Sequence, residues 1–97
     1  MKLFVDDLRV PPDNSWTVAR SSEDAIALLQ RNKITEVSLD HDLGIVNDFF
    51  DDGYKVVVWL EERNIWPVNG IRCHSANPVG VQRINAAIAA IKRRNGV

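Results

Sequence analysis

The sequence predicts a layered α/β fold: an open sheet of about four mostly parallel strands, with elements in the order β-β-α-β-α-β-α. Three observations predict it. Short apolar runs alternate with stretches of helical period. Two of those runs stop abruptly at acids and a third at a histidine, the pattern of strands ending at a ligand-binding sheet edge. The last amphipathic stretch opens on Asn77-Pro78, a strong helix-start pair.

Leu3-Phe4-Val5 reads as a buried strand that ends at Asp6-Asp7. Residues 8–15 hold two prolines and three small polar residues, so they form a loop. Trp16-Thr17-Val18-Ala19 is a second strand. Parallel neighbours usually need a crossover of about a dozen residues. The Asp6–Ser15 connection is barely that long, so either a helix is missing there or the two strands run antiparallel. Ser21 followed by Asp24 resembles a capping box and starts a helix. Ala25, Ile26, Leu28 and Leu29 form its apolar side, and Arg31-Asn32-Lys33 suits its C-terminal dipole.

Residues 34–39 form the third strand, and it ends in Asp40-His41-Asp42. Residues 44–51, with Phe49 and Phe50 among acids, read as a loop that serves as a lid or rim. Asp51 or Asp52 is placed to cap a helix over residues 53–63, whose buried side is Tyr54, Val57, Val58 and Leu60, extended by Trp59. Ile71 to Ser75 is the fourth strand. Val81, Ile84, Ile88 and Ile91 recur at spacings of three and four, the stripe of the final helix. Lys92-Arg93-Arg94 and Asn95-Gly96 close it.

With 97 residues the chain has the size of one small domain, 1–97, and its 45% hydrophobic and 26% charged composition is ordinary for a globular protein. A net charge of -1 argues against an extended nucleic-acid surface. No apolar run reaches the roughly 18 residues of a membrane span, and the apolar start is too short for a signal peptide. The lone Cys73 excludes an internal disulfide and reads as a small buried hydrophobe. The expected location is therefore the cytoplasm. Trp16, Trp59 and Trp66 read as packing residues, and the basic C-terminal run as an exposed helix end.

Ligands of an open parallel sheet bind beyond the carboxyl ends of its strands. Asp6, Asp7, Asp40, His41, Asp42, His74 and Ser75 all fall there. Crowded carboxylates call for a divalent cation, and oxygen donors favour Mg²⁺ or Mn²⁺, with Ca²⁺ also suited. Asp6, Asp7, Asp40 and Asp42 are the expected metal ligands. His41 and His74 are the expected acid/base pair, acting beside Asp40. Arg9, Ser75, Asn77 and Gly80 are expected to hold a phosphate, the last two at a helix N-terminus.

These residues resemble the receiver domain of two-component response regulators. The match makes Asp6 and Asp7 metal ligands, Asp40 the counterpart of the phosphoacceptor, and Ser75 the phosphate-contacting hydroxyl. The chain departs from a receiver by lacking the first helix and the fifth strand with its lysine, and by adding His41 and His74. The closer resemblance is to the cyclic-phosphate processing receiver domain. It rests on Leu3 to Pro11, Ser38 to Gly44, Asp52-Gly53-Tyr54 and His74 to Gly80. It implies a small three-layer, flavodoxin-like fold. It also implies metal-dependent hydrolysis of a cyclic phosphate, on a phosphate-containing small molecule or a 2′,3′-cyclic RNA end. A non-catalytic module that binds or sequesters such a ligand is the first alternative. A phosphoacceptor signalling domain using Asp40 is the second.

Overall fold

The structure is a computed structural model and describes residues 1–97. Its main sheet holds β1 (Lys2–Val5), β2 (Trp16–Ala19), β3 (Glu36–Leu39) and β6 (Ile71–Cys73) in the order β2-β1-β3-β6. All three neighbouring pairs are parallel. The helices are α1 (Ser22–Arg31), α2 (Tyr54–Glu62) and α3 (Pro78–Arg94). The receiver-like α/β order expected from the sequence is thus present.

β1 and β2 are parallel, with no helix between them. The antiparallel alternative fails. A strand of four residues is only about 13 Å long, and ten extended residues reach about 33 Å, so residues 6–15 can return along it without helical support.

The layering also differs from the three layers expected. Leu3, Val5, Ala19, Val37, Leu39 and Ile71 form one core with Ala25 of α1, Val56, Val57 and Leu60 of α2, and Ile84, Ala87, Ile88 and Ile91 of α3. Successive strand residues face opposite ways, so all of these sheet residues share one face. β2 to β3 and β3 to β6 step in the same direction across the sheet, and right-handed crossovers then put their helices on the same side. The other face carries Lys2, Phe4, Trp16, Val18, Glu36, Ser38 and Arg72. No helix covers it, because the first helix of a receiver is absent. Its own side chains shield it instead: the Lys2 ammonium lies 4.4 Å over the Trp16 ring, Arg72 pairs with Glu36 at 2.7 Å, and Phe4 meets Trp16 edge-on at 6.1 Å.

Residues 44–51 are not a simple loop. β4 (Asp42–Val46) and β5 (Phe49–Asp52) form an antiparallel hairpin. Its two turn residues, Asn47 at φ 51° and Asp48 at φ 68°, are both left-handed, as the tight turn matched to strand twist requires. The hairpin leaves Ile45, Phe49 and Phe50 exposed.

Ser21 caps α1 as expected, accepting from Asp24 N at 3.1 Å. Asp51 does not cap α2. It is buried and accepts from the N–H and hydroxyl of Ser22 at 2.8 and 2.5 Å, tying the hairpin to the start of α1. Nor is Asp52 the cap: α2 is capped by Gly53 without a side-chain bond, and Asp52 Oδ1 accepts from Lys55 N in the first turn at 3.1 Å. Within α2, Val56 holds the buried place expected for Val58. Gly53 is set by close approach: a Cβ there would stand 2.0 Å from the Asp40 carbonyl oxygen. No helix is long and apolar enough to cross a membrane.

Removing the Asp51 carboxylate strands two donors at the first turn of α1. Asp51→Ala is expected to lower unfolding free energy by about 1–3 kcal/mol, measured by urea titration, and an unchanged midpoint would dismiss the tie.

Candidate functional site

The C-terminal ends of β1 and β3 bring Asp6, Asp7 and Asp40 together, with ligand oxygens all within 4.8 Å of one another. Asp6 is 1% exposed, yet its charge is well satisfied. Its Oδ1 accepts from the N–H groups of Leu8 and Arg9 at 2.9 and 2.8 Å. Its Oδ2 accepts from His74 Nε2 at 2.9 Å and Arg9 Nη1 at 3.1 Å. Burial pushes its pKa up, but these four contacts outweigh it and hold the carboxyl down at about 2.

Asp40 is buried, and its Oδ2 lies 3.3 Å from the same Arg9 Nη1. Asp7 is half-buried against the hairpin, where a Cβ on Gly44 would come 3.1 Å from its Oδ2. Three hard anions against one guanidinium leave excess negative charge, and such oxygens suit Mg²⁺, Mn²⁺ or Ca²⁺. The residues therefore fit a divalent cation.

His74 has both ring nitrogens engaged. Ionised Asp6 can only accept, so Nε2 donates to it. In the neutral ring Nδ1 then accepts from the Ser38 hydroxyl at 2.8 Å. The ring also stacks on Phe4, with centroids 4.5 Å apart and planes 4° apart. Sequence reasoning missed the part Ser38 plays. Its signal was a small hydroxyl inside an otherwise apolar strand, in register with Phe4.

His41 and Asp42 stand together, apart from the carboxylate cluster. Asp42 accepts from His41 Nδ1 at 2.9 Å and from Asn77 Nδ2 at 3.2 Å. The His41 bond outweighs desolvation and, with help from Asn77, lowers the Asp42 pKa. Asp42 was expected to join the metal ligands, but it begins β4, and the hairpin carries it away. His41 Nε2 is buried without a hydrogen-bond partner.

The structure also gives Gly80 a different reason from phosphate approach. A Cβ there would lie 2.4 Å from His41 Cγ, so the space beside the first turn of α3 is taken by the imidazole. Asn77 caps that helix through Gly80 N at 3.1 Å, and Ser75 Oγ accepts from Asn77 N at 3.1 Å. Arg9 spans carboxylates rather than standing free. Burial, with the Asp40 charge adding to it, pushes the Cys73 thiol up and keeps it protonated.

The family model of the cyclic-phosphate processing receiver domain matches residues 1–90. The chain belongs to that family. No curated protein and no solved structure matches it. The family name ties this receiver-like domain to cyclic-phosphate processing. The cluster is distinct from an apolar cleft of about 500 Å³ at the opposite sheet edge, lined by Leu29, Ile34, Trp59 and Trp66 among others.

Two outcomes follow for this receiver-like domain. Asp6 is held at about 2, below its ordinary 3.8, so its stabilisation is complete above pH 5 and is lost as pH falls towards 2. That loss is on the order of 2 kcal/mol. Asp6→Asn is expected to flatten the acid limb of stability against pH, and an unaltered limb would contradict the hydrogen-bond assignment. Gly80→Ala must push the His41 ring aside at a cost of about 1–3 kcal/mol. Its ring resonances are expected to move, and a silent NMR spectrum would mean the contact is absent.

Proposed function

We propose that this chain hydrolyses a cyclic phosphate ester with the help of a divalent cation. The supporting observation is the convergence of three carboxylates from two strand ends within 4.8 Å, with His74 bonded to one of them. Asp6, Asp7 and Asp40 would hold Mg²⁺ or Mn²⁺, or Ca²⁺. When bound, such a cation neutralises phosphate oxygens and makes a bound water more acidic.

Opening a cyclic diester adds one water across one P–O bond. The attacking oxygen loses a proton, and the departing alkoxide gains one. His41 is the better-suited carrier of that proton. Asp42, held ionised, takes the Nδ1–H, so the neutral ring keeps its lone pair on Nε2, the nitrogen without a partner. His74, with both nitrogens engaged, is suited to orienting Asp6. Arg9 and Ser75 would supply donors for phosphate oxygens. The substrate class is a phosphate-containing small molecule, such as a cyclic nucleotide, or a 2′,3′-cyclic RNA end.

One observation favours a second reading, a module that binds the phosphate without turning it over. No histidine nitrogen stands open, since His74 is doubly bonded and His41 Nε2 is enclosed.

The test is ³¹P NMR of 2′,3′-cyclic nucleotides and cyclic dinucleotides incubated with protein and Mg²⁺ or Mn²⁺. Ring-opened monoester is expected, with the rate cut roughly a hundredfold or more in His41→Gln. Ligand bound tightly but recovered unchanged would support the second reading. Neither turnover nor binding, with metal bound, would defeat both.

A further inference from the structure

Arg9 reaches both strand ends through one atom. Its Nη1 stands 3.1 Å from Asp6 Oδ2 and 3.3 Å from Asp40 Oδ2. These two residues belong to the cluster whose oxygens lie within 4.8 Å of one another, the oxygens a divalent cation would use. The guanidinium therefore already occupies part of the charge well that would attract the metal.

The donors to Asp6 are not equally fixed. Two are backbone N–H groups of the loop, and the third is His74, which Ser38 and the Phe4 ring hold in place. The fourth is the Arg9 side chain, on a flexible stem and 47% exposed. Arg9 is the donor that can leave without unfolding anything. Its backbone stays behind, since its N–H is on Asp6 and its carbonyl accepts from Arg20 Nη1 at 2.8 Å. A metal ion binds carboxylate oxygens at about 2.0–2.6 Å. At that range a second cation on the same carboxylates is repelled by the first.

We infer that Arg9 is a resident counter-ion that the divalent cation displaces, and that the displaced guanidinium then grips the substrate phosphate. This rests on the metal-dependent reading above. A guanidinium fork freed beside the metal matches two phosphate oxygens at once, which an ammonium does not. The exchange makes two-pronged phosphate capture follow metal binding, because until then Nη1, one prong of the fork, is engaged with the carboxylates.

The inference carries opposite signs for two ligands. Losing the Arg9 side chain removes a competitor for the metal and a donor for the phosphate. Calorimetry with Mn²⁺ alone, then with inorganic phosphate added to the metal-loaded protein, reads both, with thermal melts confirming that each variant folds. Arg9→Gln is expected to bind Mn²⁺ about tenfold tighter and phosphate about tenfold weaker than wild type. Arg9→Lys keeps a competing charge, so it is expected to bind Mn²⁺ within about threefold of wild type while losing phosphate affinity, and it serves if Arg9→Gln fails to fold. Wild type binding Mn²⁺ and Arg9→Gln binding it no tighter, or Arg9→Lys holding phosphate as well as wild type does, would overturn the exchange alone. Wild type and variants all failing to bind Mn²⁺ would overturn both the exchange and the metal-dependent reading.

Discussion

The buried charge of Asp6 is the constraint on which the rest of this architecture depends. A carboxylate at 1% exposure survives only with its oxygens fully engaged. Meeting that need fixes the loop after β1 through Leu8 and Arg9, and fixes the end of β6 through His74. His74 in turn needs Ser38 from β3 and the flat face of Phe4 from β1. One anion thus aligns three of the four strands at their functional edge. It does so with a small hydroxyl residue at position 38, whose Oγ lies 2.8 Å from His74 Nδ1.

Much of the sheet was legible because its signals are local. Apolar runs ending in acids marked the strands, Asn77-Pro78 marked α3, and Ser21 marked α1. The hairpin was harder to see. Asn47-Asp48 is a two-residue turn between paired apolar residues, but the surrounding acids and two exposed phenylalanines mask the alternation that identifies strands. The layering was not legible at all, because which side of a sheet a helix takes is a matter of crossover handedness and strand order, and neither is written in any short stretch of chain.

The site divides in the same way. The grouping of Asp6, Asp7 and Asp40 followed from strand ends alone. The partition between Asp40 and Asp42 did not, because it depends on where β4 leaves the sheet. Gly80 shows the limit most clearly: a glycine at a helix start suggests an anion approaching the backbone, but the occupant of its space is a side chain from 39 positions earlier in the chain, His41. Ser38 and its hydroxyl bond were beyond local inference for the same reason.

A wholly parallel sheet with one uncovered face is unusual, and here it leaves a row of three rings on that face. Trp16 meets Phe4 at 6.1 Å, and Phe4 stacks on His74 at 4.5 Å, the residue that holds Asp6. The other two tryptophans, Trp59 and Trp66, line the apolar cleft at the far edge. Trp16 is accordingly a native optical probe, two rings removed from the carboxylates. With Trp59 and Trp66 replaced by phenylalanine, its emission would be the one native signal next to the ring row that leads to Asp6.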